Sequence, residues 1–380
     1  MNRSARAAWA FVSHNYQPNT GLVVAHENYQ HVTMWDIAST LAAYYSAREL
    51  GYVTNAEYQS RMKRALQTLH DMPMFEDSAF NKLYDAKSGA MTGRDQERSH
   101  VGYGWSAIDL GRLLVWLKLV GNRDPVVAPM TQQIVARLVM PALVQDGYLQ
   151  GRDADPKSGA ISSYQEGRLG YEQYAAEGFA LWGASAANAL DFKVNGKPLT
   201  IDGYNVLADR RGSDLLTSEP FVMMGLELGW HTADWRNDAR LVYDAQKQRY
   251  DRTGTVTMLS EDALPDPPAY FYYYLLYRDG HTFVVTAPTG EAAPESVRWI
   301  SAKAAFGWHT LLPSAYTWTA LQAVRNAASA NRGWTAGVYE RSKQSTAVFN
   351  LNTAAIVLES ALYSRRGCAF IEPACPARGM

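Results

Sequence analysis

Carboxylates recur beside aromatic residues where apolar helical stretches begin. Trp35 and Asp36 open the first stretch, and Tyr103, Trp105 and Asp109 the second. Glu166, Arg168, Tyr171 and Glu172 open the third, and Glu219 the fourth. Trp308 and Tyr316 lie on the fifth, while Trp334, Tyr339 and Glu340 precede the sixth. Two carboxylates can divide proton work. One stays protonated and gives its proton to a leaving oxygen, while the other stays ionised and activates water or attacks carbon. That is the chemistry of glycosidic-bond cleavage, and Tyr and Trp supply flat faces on which sugar rings stack. Glu172 is the first candidate acid, with Asp109 or Asp36 as its partner. Trp35, Trp105, Tyr171, Trp308 and Trp334 are the expected platforms. Arg168 and Glu340 are expected to bond hydroxyls, and Tyr103, Glu166, Glu219, Tyr316 and Tyr339 complete the substrate-binding set. Each acid also has a plainer reading. Asp36 and Glu219 can serve helix starts, and Asp109 can bond a neighbouring helix.

Helices must bring these residues together. One turn recurs as Asn19-Thr20-Gly21-Leu22-Val23, Asp85-Ala86-Lys87-Ser88-Gly89-Ala90-Met91, Asp155-Pro156-Lys157-Ser158-Gly159-Ala160-Ile161 and Asp251-Arg252-Thr253-Gly254-Thr255-Val256. Its chemistry is a polar side chain bonding local backbone, a Gly at positive φ, then an extended apolar pair. Helical periodicity predicts Ala5–His14, Met34–Leu50, Asn55–His70, Trp105–Val120, Val126–Val144 and Tyr171–Leu190. It continues in Glu219–Leu228, Asp234–Tyr250, Ala302–Ala330 (broken near Pro313) and Ala347–Arg365. The helix before each turn is amphipathic. The helix after it is apolar nearly all round, as Leu110, Leu113, Leu114, Val115, Trp116 and Leu117 show. Buried helices alternating with exposed ones suggest concentric rings of helical hairpins, with all inner N-termini on one rim. Asn195-Gly196 signals a β-hairpin within Asp191–Thr200. A second is expected from Tyr270–Tyr277 and Thr282–Thr286 around Asp279-Gly280. No linker divides the chain, so residues 1–366 read as one domain and 367–380 as a tail.

The formal charge of −1 gives no field to hold nucleic acid or anionic lipid. No apolar run reaches membrane-spanning length. The first ten residues read as helix rather than as a leader, as a trimmed chain would. Cys368 and Cys375 are the only cysteines. A terminal disulfide loop is expected, which implies a periplasmic or secreted protein; two free thiols are the alternative. His26 and His31 stand five apart, which is not the spacing of a helical zinc site. Gly102-Tyr103-Gly104-Trp105-Ser106-Ala107 follows no strand and puts bulky rings where a pyrophosphate would approach. No metal and no cofactor are expected.

Thr33-Met34-Trp35-Asp36-Ile37-Ala38-Ser39, Gly102-Tyr103-Gly104-Trp105, Gly170-Tyr171-Glu172-Gln173-Tyr174, Gly337-Val338-Tyr339-Glu340 and Asn350-Leu351-Asn352-Thr353 resemble a bacterial family of unassigned function. That family sits within the six-hairpin glycosidase superfamily. The resemblance runs from Trp9 to Arg366 and implies an all-α-dominated (α/α)6 toroid with small β-hairpin insertions. A more distant resemblance is to bacterial endo-β-1,2-glucanases. It implies a catalytic acid at Glu172, opening an inner helix of the third hairpin, with Asp109 nearest to their other acid. The partner so implied is an oligosaccharide or polysaccharide. A non-catalytic glycan-binding protein is the rival expectation. A lyase with Tyr103, Tyr171 or His100 as its base is a third.

Overall fold

The computed structural model describes residues 1–155, 157–211, 215–277 and 280–375. Helices dominate, joined by short strands. In chain order they are α1 (Asn2–His14), α2 (Met34–Leu50), α3 (Asn55–Asp71), α4 (Ala107–Arg123), α5 (Ala128–Ala136), α6 (Met140–Leu143) and α7 (Tyr171–Ala180). There follow α8 (Ala187–Leu190), α9 (Phe192–Asn195), α10 (Glu219–Met223), α11 (Ala233–Thr253), α12 (Ala302–Leu311), α13 (Ala315–Val324) and α14 (Leu351–Arg366). The chain divides into two compact units. The first comprises residues 1–11, 168–170 and 195–380; the second comprises 12–167 and 171–194.

In the second unit, α2, α4 and α7 are buried along most of their length, and α2 and α7 both pack on α4. Helix α3 keeps only the stripe Tyr58, Met62, Ala65, Leu66 and Leu69 inside, as its amphipathic pattern requires. Thr33, Thr54 and Ser106 cap α2, α3 and α4 by accepting a backbone N–H from the first turn. Small residues set the closest helix approach. A Cβ on Gly178 would lie 2.0 Å from the Gly111 carbonyl oxygen, and one on Gly111 would lie 2.4 Å from Ala175 Cβ. Gly178→Ala is therefore expected to push α7 off α4. The expected loss is about 1–3 kcal/mol in urea unfolding, the usual cost of overpacking.

The first unit repeats the scheme. Helices α10, α12 and α14 are buried, and α10 and α14 both pack on α12. Gly307 lets α12 close on Val222, whose Cγ1 would sit 2.1 Å from an added Cβ. A π-helical turn, Met224–Leu228, extends α10. Ser301 and Asn350 cap α12 and α14, and Gly367 ends α14 in the left-handed conformation. Beyond it Cys368 and Cys375 are joined as a disulfide.

The repeated turn is local in all four copies. Its glycines take φ of 74°, 72°, 69° and 69°. Asp85 Oδ1 accepts from Ser88 N at 2.7 Å and from Ser88 Oγ at 2.6 Å. Asp155 does the same with Ser158, at 2.7 and 2.9 Å. Pro156 of the third copy lies outside the described residues. That copy joins two strands, Tyr148–Ala154 and Ile161–Gln165, rather than two helices.

Three predicted elements differ. Val126–Val144 divides into α5 and α6, the second opening at a proline turn. Tyr171–Leu190 divides into α7 and α8, with Gly183 left-handed between them. The first hairpin pairs Gly196–Ile201 with Tyr204–Asp209. Its turn is Asp202-Gly203, both at positive φ, and Asn195-Gly196 instead stands where α9 passes into the strand. The second hairpin forms from Tyr270–Tyr277 and His281–Thr286 as expected. Arg278 and Asp279 of its turn lie outside the described residues.

Candidate active site

The N-terminal turns of α2, α4 and α7 meet in the second unit. The Trp35 ring lies 5.6 Å from Tyr171 and 6.1 Å from Tyr174. The Arg112 guanidinium sits 4.7 Å from the Trp35 ring and donates to Ser39 Oγ at 2.7 Å. Glu172 is fully buried in the first turn of α7, and its Oε1 accepts from Gln165 Nε2 at 2.7 Å. Gly167 is required beside it, because an added Cβ would fall 2.6 Å from the Glu172 side chain.

Glu166 caps the neighbouring helix. Its Oε1 accepts from Ser106 Oγ at 2.8 Å and its Oε2 from the Ala107 amide at 2.5 Å. Burial raises its pKa, while those donors pull the other way. Asp109, in the first turn of α4, is half-buried, and its charge helps hold the Tyr103 and Tyr164 hydroxyls protonated, with burial the larger cause. Lys82 bridges this group. Its ammonium pairs with Asp153, donates to Tyr164 Oη at 3.1 Å, and lies 5.9 Å from the Tyr103 ring. Trp35 thus meets Tyr171 at the starts of α2 and α7, Glu166 meets the start of α4, and Asp109 in that same turn acts on Tyr103.

Other expected residues have different work. Asp36 completes a capping box: its Oδ2 accepts from Thr33 N at 2.9 Å and from Thr33 Oγ1 at 3.0 Å. Trp105, Trp308, Trp334 and Tyr316 are enclosed at 0%, 0%, 4% and 3% exposure, as are Tyr171 at 3% and Glu172 at 0%, but the first four are held by structural contacts. Trp105 Nε1 donates to the Gln150 carbonyl and Trp334 Nε1 to that of Ser4. Trp308 packs against Trp230 and Tyr243, and Tyr316 bonds the Thr257 carbonyl. Glu340 is engaged by Arg249 through two bonds, at 2.9 and 3.0 Å, and by Tyr273 Oη at 2.8 Å. Tyr339 donates to Asp266 Oδ2 at 2.8 Å. An aromatic beside a polar residue signals core as readily as cleft, so sequence alone could not separate the two.

The first unit holds a second polar cluster, and again it lies where three helices begin. Glu219 opens α10, Lys303 stands in the first turn of α12, and Thr353 in that of α14. Lys303 Nζ lies 2.7 Å from Glu219 Oε2 and 3.7 Å from Asp262 Oδ2. Ser260 Oγ donates to Glu219 Oε2 at 3.2 Å, and Thr353 Oγ1 donates to Asp262 Oδ2 at 3.1 Å. Beside them Arg168 Nη2 meets Glu261 Oε1 at 2.6 Å. Sequence reading found Glu219 and Arg168 but missed Glu261, Asp262 and Lys303. A lone Lys opening the apolar run Ala302 to Trp308 was the available signal.

Burial pushes Asp262 from 3.8 up to about 6, against the pull of Lys303. A carboxyl whose pKa is raised by folding favours the folded state fully below its unfolded pKa. That contribution disappears as pH rises through the folded value. Stability measured from about pH 4 to pH 6 should therefore contain a falling component of about 3 kcal/mol. The component should be absent from the curve of Asp262→Asn; parallel curves for the two proteins would contradict it.

A groove of about 1340 Å³ opens elsewhere in the second unit, between the polar face of α3 and the turns at Thr20 and Gly89. It contains none of the candidate acids. Among the described residues no three His, Cys, Asp or Glu side chains gather as a metal site. Among the described residues no helix is long and apolar enough to cross a membrane.

The family described as "Protein of unknown function (DUF3131)" matches residues 3–367. No curated protein matches. Among solved structures, the endo-β-1,2-glucanase of Chitinophaga pinensis, in complex with sophorotriose and glucose, is similar at 12% identity. The similarity covers 96% of this chain and 91% of that one, with a TM-score of 0.67. An endo-β-1,2-glucanase variant of Talaromyces funiculosus, bound to β-1,2-glucan, is 11% identical over 95% of this chain and 83% of that one, with a TM-score of 0.61. A D-mannose isomerase is 10% identical over 95% and 96%, with a TM-score of 0.55. At such identities the likeness is one of fold.

Proposed function

The chain belongs to the DUF3131 family of proteins of unknown function, and we propose that it is a glycoside hydrolase acting on a glucan, β-1,2-linked in the simplest case. One observation carries the reading: α2, α4 and α7 converge on Trp35, Tyr171 and the buried carboxyl of Glu172. Glu172 is the proton donor. Gln165, which donates to its Oε1 at 2.7 Å, holds the carboxyl in place. Asp109 is its partner and activates water, because Asp36 is engaged in capping. Inversion follows if a water fits between the two carboxyls. Tyr103 and Tyr164, each only partly buried, flank the sugar.

The reading takes the six buried helices as those of an (α/α)6 toroid, in keeping with the likeness to the glucanases. It places the protein in a periplasm or outside the cell, which the Cys368–Cys375 disulfide supports. The test is reducing-end release from a panel of β-glucans with different linkages. Release from one linkage supports hydrolysis. Oligosaccharide binding without release would instead make the chain a glycan-binding protein.

A further inference from the structure

We propose that one face of the three-stranded sheet in the first unit, together with Arg168, is a subsite for a neutral pyranose with vicinal hydroxyls. The strand Tyr270–Tyr277 lies between Glu261–Ala263 and His281–Thr286, antiparallel to both. Its side chains alternate, so Phe271, Tyr273 and Leu275 share one face and Tyr270, Tyr272 and Tyr274 the other. The first face is core: Phe271, Tyr273 and Leu275 are buried, and Tyr273 bonds Glu340. The second face is covered at Tyr274, which is buried, and partly open at Tyr270 and Tyr272, which are half-buried.

That second face is arranged as a recognition surface. The Tyr272 and Tyr274 rings stack with centroids 5.6 Å apart and planes 8° apart. Tyr270 meets Tyr272 edge-on at 5.3 Å. Glu261 is paired in register with Tyr272, so it shares this face. The Arg168 guanidinium lies 5.4 Å from the Tyr272 ring and 5.8 Å from the Tyr274 ring, while its Nη2 holds Glu261 at 2.6 Å. The Arg168 side chain is 26% exposed, so the pair borders solvent.

A fixed plane of guanidinium N–H donors beside a carboxylate acceptor suits adjacent hydroxyls, each of which both donates and accepts. The tyrosine faces suit the C–H face of the same ring. Charge selects a neutral sugar over a uronate. Glu219, Glu261 and Asp262 outnumber the cations they are paired with, Arg168 and Lys303, and Lys303 is already committed to two carboxylates.

This inference rests on the carbohydrate reading above but not on bond cleavage, so binding tests it separately. Sophorotriose is titrated calorimetrically into the full chain carrying Glu172→Gln, then into the same chain with Tyr272→Leu or Arg168→Lys added. Each addition is expected to weaken binding by roughly tenfold or more, with a neutral trisaccharide preferred over a trigalacturonate. Tyr272→Trp, which keeps a flat face, is expected to retain binding and covers the case in which Tyr272→Leu does not fold. Unchanged affinity in both Tyr272→Leu and Arg168→Lys would overturn the subsite. So would preference for the uronate, or no binding of sophorotriose, laminaritriose or cellotriose by the parent. Binding that follows these expectations in a chain whose wild type cleaves nothing would keep the subsite and remove the hydrolase.

Discussion

Glu172→Gln is expected to lower reducing-end release by about a thousandfold, the scale of a lost general acid. The replacement keeps the shape of the side chain and removes only its ability to give a proton. Glu172 is fully buried, so a charge change there could also alter the fold. The amide removes that ambiguity, because a neutral group is easier to bury than a carboxylate. The melting temperature should therefore stay near that of the wild type, while the loss falls on kcat rather than KM. Activated glucosides whose leaving groups need no proton should be hydrolysed far better by the variant than natural glucans. Full activity on glucans would remove Glu172 from the mechanism and move attention to Glu219 and Asp262.

The largest stability effect is expected from Lys303→Met. Lys303 is the cation shared by two buried carboxylates, and its own pKa is raised because Asp262 and Glu219 outweigh burial. Its place is costly: it stands in the first turn of α12, where a helix repels cations. Removing it leaves Glu219 and Asp262 inside without a counter-charge, a change that typically costs about 3–5 kcal/mol. Chemical unfolding measures the loss. Adding Glu219→Gln and Asp262→Asn to Lys303→Met should recover much of it, since the penalty lies in the uncompensated charges. A chain with Lys303→Met alone that unfolds like wild type would show that the carboxylates are relieved in some other way.

The buried helices were legible because their chemistry is local. Apolar periodicity, Thr or Ser before the first turn and Gly after the last need no tertiary information, and Met34–Leu50 falls on its predicted bounds. The approach of the Trp35 ring to that of Tyr171 joins residues far apart in sequence, and no local pattern names it. Lys303 and Asp262 were not legible. One lies on a helix and the other on the strand Glu261–Ala263, far apart in sequence, and nothing in either neighbourhood names the partner. Burial of aromatics was misjudged for the same reason. Trp105 and Tyr103 are two residues apart, a spacing that would put both on one face of a regular strand, yet one is fully enclosed and the other only partly: Tyr103 lies outside the strand Gly104–Trp105, and Gly104 between them is at positive φ, which breaks the alternation.

The Asp-Lys-Ser-Gly turn has a kinetic consequence. In the copies at Asp85 and Asp155, its side-chain bonds and its backbone bond to Gly all close within five residues. A nascent chain can form such a loop as soon as it emerges, well before the distant helices exist to pack on it. Each copy thus reverses the chain early, at a small entropic cost, and brings the next segment back beside the one just made.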